Sequence, residues 1–218
     1  MALPLLGSIP MHVVLLGDSI FDNAAYTRGD PDVVTHLQSL LAKDDRATLL
    51  AVDGARVADL PAQLRRMPAD ATHLVVSIGG NDALGNFDLL SMQVTSSAQA
   101  LQVFAARIAA FETAYVAAIG NVAARGRPLT ICTIYNGALE QDIAPIARLG
   151  VALFNDVILR TAGDQKIDVI ELRSICNQAS DYANPIEPSG SGGLKIARAI
   201  IRTLRGSHDD RAARIIGG

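Results

Sequence analysis

Five short apolar runs, at 12–16, 48–52, 73–78, 129–134 and 167–172, recur along the 218 residues with helical patterns between them. Short β-branched or leucine-rich runs of this kind imply five buried strands. The intervening segments at 31–43, 58–66, 95–124 and 141–163, and a last one at 190–205, carry helical spacing. This β-α-β rhythm predicts a parallel sheet covered by helices on both sides, with right-handed crossovers: a three-layer α/β/α sandwich of the flavodoxin-like kind. Half of the residues are hydrophobic, enough for a substantial core. The length suits one domain, assigned to 1–206, with a polar tail at 207–218 expected to fray.

Charge and cysteine usage narrow the function. The formal net charge is −3, and the 19 Lys and Arg are dispersed, so there is no basic stripe of the kind that nucleic acid requires. The opening 1–16 lacks an early Lys or Arg and carries Pro4, Pro10 and His12, which reads as an arm and strand rather than an export signal. No stretch is expected to span a membrane. Cys132 and Cys176 stand far apart with no His or Cys at metal-ligand spacing, as expected of free thiols in a reducing cytoplasm. Nothing in the pattern calls for a cofactor, and nothing specifies an oligomeric state.

In a parallel sheet the carboxyl ends of the strands share one edge, and ligands bind in the crevice there. Four loops meet at that edge: Gly17-Asp18-Ser19-Ile20-Phe21-Asp22-Asn23, Asp53-Gly54-Ala55, Gly79-Gly80-Asn81-Asp82 and Tyr135-Asn136-Gly137. Acyl transfer needs a nucleophile, a base and donors for the developing oxyanion. Ser19 offers a hydroxyl and a backbone N–H, Gly54 a backbone N–H and Asn81 a side-chain amide. Taken singly, each is as readily a cap or a turn residue; together, at the ends of successive strands, they make a candidate site. Ile20, Phe21, Leu84, Tyr135 and Ile186 are expected to line an apolar cleft beside it. Ser189-Gly190-Ser191-Gly192-Gly193 has the look of a phosphate loop but lacks its Lys and its spacing, and is read as a turn and helix cap.

Gly17-Asp18-Ser19-Ile20, Gly54 and Gly79-Gly80-Asn81-Asp82 together resemble the first three blocks of the SGNH hydrolases, the GDSL esterases and lipases. The resemblance spans nearly the whole chain. It implies that Ser19 is the nucleophile, that Ser19 N–H, Gly54 N–H and Asn81 form the oxyanion hole, and that the substrate is a small carboxylic ester or thioester. The family's last block, Asp-x-x-His, is represented here by Asn184-Pro185-Ile186-Glu187, so the acid and base positions hold Asn184 and Glu187. His12 and His73 begin strands roughly 20 Å from the active edge, His36 falls mid-helix and His208 lies in the tail.

Glu187 is therefore the expected base, with Asn184 supporting it. An unperturbed Glu titrates near 4.3 and His near 6.5, a deficit of about 3 kcal/mol in proton affinity that burial can reduce. A carboxylate base predicts that the acid limb of the activity profile falls below the histidine range, and a midpoint near 6.5 to 7 points instead to a histidine. Two rival functions remain: a non-catalytic relative that binds an ester, acyl or sugar ligand, and a metal-dependent phosphohydrolase built on Asp18, Asp22 and Asp82.

Overall fold

The computed structural model describes residues 10–206. The expected arm at 1–9, the tail at 207–218 and His208 lie outside them. Five parallel strands, β1 (His12–Gly17), β2 (Arg46–Leu49), β3 (His73–Ser77), β4 (Leu129–Cys132) and β5 (Asp168–Ile170), form one sheet in the order β2-β1-β3-β4-β5. The register pairs Val14 with Thr48 on one side and with Leu74 on the other. This is the doubly wound arrangement expected from the rhythm of the sequence. Its order reverses between β1 and β3, which opens the crevice at their carboxyl ends.

The helices are α1 (Val33–Leu40), α2 (Leu60–Leu64), α3 (Gly80–Leu84), α4 (Ser97–Ala123), α5 (Ala144–Gln165), α6 (Leu172–Ile175) and α7 (Gly190–Leu204). Alternation along β1 divides the core between the two faces of the sheet. Val14 and Leu16 pack with α2, α4 and α5 through residues such as Leu60, Tyr115 and Val157. Val13 and Leu15 pack with α1 and α7 through Leu37, Ile196 and Ile200. Polar side chains cap the helix starts: Asp32, Ser96 and Ser189 accept from Thr35 N, Gln99 N and Gly192 N. Ser189 thus acts as the helix cap foreseen in the glycine-rich stretch.

The boundaries depart from expectation where the hydrogen bonding does. The second strand ends at Leu49 rather than 52, because Leu50 N and Ala51 N both turn to Leu15 O, which breaks the regular ladder. The segment 58–66 divides into a 3₁₀ turn, Val57–Asp59, and α2, whose first turn holds Pro61. Helix α4 is long and apolar enough to cross a membrane by length and composition, contrary to the expectation that no stretch would be. Its second half is nevertheless part of the core, with Phe111, Tyr115, Ile119 and Val122 buried beneath the sheet.

Candidate active site

The turn after β1 aims Ser19 into the crevice, and the hydrogen bonds around it explain its shape. Gly17 takes φ +129°, a conformation costly for residues with a Cβ, and a Cβ there would lie 1.8 Å from Ser77 O. The Gln63 amide grips that glycine on both sides, accepting from Gly17 N at 2.8 Å and donating to Gly17 O at 2.7 Å. Asp18 Oδ1 accepts from Ile20 N at 3.2 Å, and Asp18 O accepts from Phe21 N and Asp22 N. The chain is thereby folded back so that Ser19 faces a cavity of about 140 Å³.

Ser19 Oγ donates to Glu187 Oε1 at 3.1 Å. The two residues are 168 positions apart in sequence, both are buried, and Glu187 Oε2 has no hydrogen-bond partner. The loop that carries Glu187 is held from three directions. Asn184 Oδ1 accepts from Ile186 N and Glu187 N, Tyr135 Oη donates to Ile186 O at 2.5 Å, and Asn23 Nδ2 donates to Pro188 O. Asn23 Oδ1 also accepts from Val33 N. One fully buried side chain therefore ties the serine loop, the start of α1 and the glutamate loop together.

Two carboxyls at the cavity are held above their ordinary range. Burial pushes the Glu187 carboxyl up to about 7; the Ser19 hydroxyl opposes the shift and the Asp53 charge adds to it. Asp18, also in the cavity wall, is pushed up to about 8 by burial, with the charges of Glu187 and Asp82 raising it further. At pH 7 the cavity accordingly holds one largely neutral carboxyl and one close to half ionised.

Of the three expected oxyanion donors, Ser19 and Asn81 line the cavity, whereas Gly54 does not. Within the described residues neither Ser19 N–H nor Gly54 N–H is spent on another group, and Gly54 holds the left-handed φ of +77° on an exposed turn. Asn81 Nδ2 donates to Ala55 O at 3.0 Å, which places the amide against the Gly54-Ala55 turn and leaves it a second N–H. Asp82 of the same block serves the structure, accepting from Val57 N.

Of the expected lining residues, Ile20, Leu84, Tyr135 and Ile186 border the cavity. Phe21 does not. It is fully buried with Val33, Leu37 and Ile196 on the far side of the turn, because the reversal that turns Ser19 toward the cavity directs the next bulky side chain but one into the core. Asn184 is exposed and braces backbone N–H groups rather than the Glu187 carboxylate.

The described histidines are engaged elsewhere, and none lines the cavity. His12 meets Asp70 and Thr48, His36 meets Gly190 O, and His73 meets Thr72. The acidic trio of the phosphohydrolase alternative is not assembled. Asp22 is bound to Asp53 N and Asp82 to Val57 N, and no group of three His, Cys, Asp or Glu suited to a metal occurs among the described residues. Sequence reasoning missed Gln63 and Asn23, whose roles depend on contacts 46 and 165 residues away.

Residues 15–192 match the model of the GDSL-like Lipase/Acylhydrolase family. No curated protein matches the chain. Among solved structures, the acetyl xylan esterase AlAXEase superposes with a TM-score of 0.68 at 16% identity, covering 89% of this chain and 100% of that one. Phospholipase A1 from Streptomyces albidoflavus gives 0.65 at 15% identity, over 88% and 98%. A member of the lipolytic G-D-S-L family from Veillonella parvula gives 0.64 at 17% identity, over 89% and 98%. These likenesses establish the fold, while the family match covers most of the chain and includes Ser19, Gly54, Asn81 and Glu187. The chain belongs to the GDSL-like lipase/acylhydrolase family and is a carboxylic ester hydrolase.

Proposed function

We propose that this chain hydrolyses carboxylic esters or thioesters through an acyl-enzyme on Ser19, with Glu187 in place of a histidine as general base. The observation that carries this reading is the 3.1 Å hydrogen bond from Ser19 Oγ to Glu187 Oε1. Ionised Glu187 takes the hydroxyl proton as Oγ attacks the acyl carbon. The oxyanion of the tetrahedral intermediate collects hydrogen bonds from Ser19 N–H, Gly54 N–H and the second Asn81 N–H. Protonated Glu187 then returns the proton to the departing alcohol or thiol, and the same carboxylate activates water to release the acid and free Ser19.

A carboxylate base has no tautomer to fix, so the position that would orient a histidine can hold a neutral residue. Asn184 fits this as a positioning residue, since its bonds to Ile186 N and Glu187 N set the course of the loop. Burial supplies what an exposed glutamate lacks, because the rise to about 7 brings its basicity to that of a histidine.

The test is hydrolysis of p-nitrophenyl acetate by the wild type, by Ser19→Ala and in EDTA. Turnover that resists EDTA and disappears in Ser19→Ala is the expected result. Activity that survives in Ser19→Ala removes the serine from the mechanism, and loss on chelation points to metal chemistry instead.

A further inference from the structure

Beyond Ser19 the cavity is walled by Leu84, Phe87, Ile134, Val151 and Phe154. Its volume of about 140 Å³ is small beside the 300–1,000 Å³ usual for a small-molecule site. The apolar wall continues past it. Leu90, Phe104, Ile146 and Gly150 border both the cavity and a second groove of about 500 Å³, which runs between residues 89–94 and the helices α4 and α5. No residue lining this groove has a polar side chain.

The groove is also where the molecule leaves its apolar surface uncovered. Of the twelve large hydrophobic side chains exposed among the described residues, only Val52 and Val116 lie outside the cavity and the groove. Leu101 and Leu149 are 68% and 73% exposed. A patch of this kind marks a binding surface. It also accounts for the membrane-like composition of α4: its buried residues begin at Phe111, and the half that precedes them forms the groove wall.

Resting on the assignment of Ser19 as nucleophile, we infer that the groove holds the acyl chain of the substrate, so that the enzyme prefers medium- and long-chain acyl esters to acetyl esters. The occupant follows from continuity. The groove opens through Leu90, Phe104, Ile146 and Gly150 into the cavity that contains Ser19, so an acyl carbon at Oγ sends its chain between apolar walls and meets no polar group beyond the mouth. A polar acyl group, or a large sugar on that side, would leave its hydrogen bonds unmade there.

Each methylene removed from water contributes up to about four-fold in kcat/KM. With the four added methylenes only partly covered in an open groove, octanoate should exceed butanoate by at least about ten-fold. The experiment compares p-nitrophenyl acetate, butanoate and octanoate as monomers, without detergent, in the wild type, Gly150→Phe and Leu149→Glu. Gly150→Phe narrows the passage, and a Cβ at 150 meets nothing within 4 Å, so α5 accommodates it. The expected result is the ten-fold rise in the wild type and a ten-fold fall in the octanoate-to-acetate ratio in Gly150→Phe. Leu149→Glu, at an exposed site, should lower the same ratio.

A profile that declines from acetate to octanoate overturns the inference, as does a ratio unchanged in both variants. So does a preference that appears only when phosphatidylcholine vesicles are added, since the patch then meets a lipid surface rather than a single chain. If no ester is turned over, the Ser19 mechanism fails separately. Calorimetric binding of the octanoate ester to Ser19→Ala, expected to be at least ten-fold tighter than that of the acetate ester, still tests the groove on its own; equal affinities refute it.

Discussion

Glu187→Gln keeps the size and the buried position of the side chain but removes its capacity to accept a proton as a base. The carboxyl rises from its ordinary 4.5 to about 7, chiefly because burial disfavours the charge. At about 1.4 kcal/mol per pH unit this is about 3 kcal/mol of added basicity, which cancels the deficit of a glutamate against a histidine. Plotted against pH, kcat/KM for p-nitrophenyl acetate should therefore show an acid limb with its midpoint near 7, falling ten-fold per unit below it. Burial thus places the expected limb above the low-pH position that the sequence suggests for a carboxylate base. A midpoint near 7 would ordinarily be assigned to histidine, so the limb must be read together with the variant. Glu187→Gln should lose about 10²- to 10⁴-fold in kcat/KM, the range for removing a general base, and its residual activity should lack the limb. Stopped or continuous p-nitrophenol release between pH 4 and 9 measures both. A limb that persists in Glu187→Gln, or turnover within three-fold of wild type at pH 8, refutes the assignment of Glu187.

Three further outcomes follow from the same contacts. Asp53→Asn removes a negative charge that raises the Glu187 carboxyl, so the midpoint of the acid limb should move down by a few tenths of a unit, an upward or absent shift counting against that coupling. Unfolded Glu187 gives up its proton near 4.5 and folded Glu187 only near 7, so stability falls as pH rises through that window; urea titrations should find Glu187→Gln up to about 3 kcal/mol more stable than wild type at pH 8 and equal to it at pH 4. Asn23→Ala strands Val33 N and Pro188 O, and should cost about 2–4 kcal/mol in the same assay while lowering kcat more than it changes KM.

The parts of this molecule that were legible in the sequence are those written locally. The central strands β1, β3 and β4 are largely buried and announce themselves as apolar runs, the edge strands β2 and β5 stay partly exposed, and the turn that carries Ser19 is marked by the glycine that it demands. Glu187 could be placed because its block keeps the spacing of the pattern that it alters. Phe21 could not, since the direction of a side chain two positions beyond Ser19 depends on a turn that Gln63 clamps from 46 residues away. Asn23 was equally hidden, because a polar residue in a polar loop gives no sign that it will end up fully buried, joined to Pro188. The upward push on the Glu187 carboxyl comes from its burial among residues distant in sequence, which no window of sequence contains.

Asn184 spends its carbonyl on two backbone N–H groups, and this restricts how such a site could change into the usual one by single steps. Glu187→His alone would set an imidazole beside Ser19 with no carboxylate to orient its proton. Asn184→Asp alone would bring another negative charge into the loop of a glutamate that burial already makes hard to ionise, and shift its midpoint above neutrality. Each single replacement is thus expected to fall below the starting enzyme, and only the pair to recover. With Glu187 as the proposed base, the glutamate form is expected to sit at a local optimum, separated from the histidine form by a valley whose depth a four-member mutant cycle would measure.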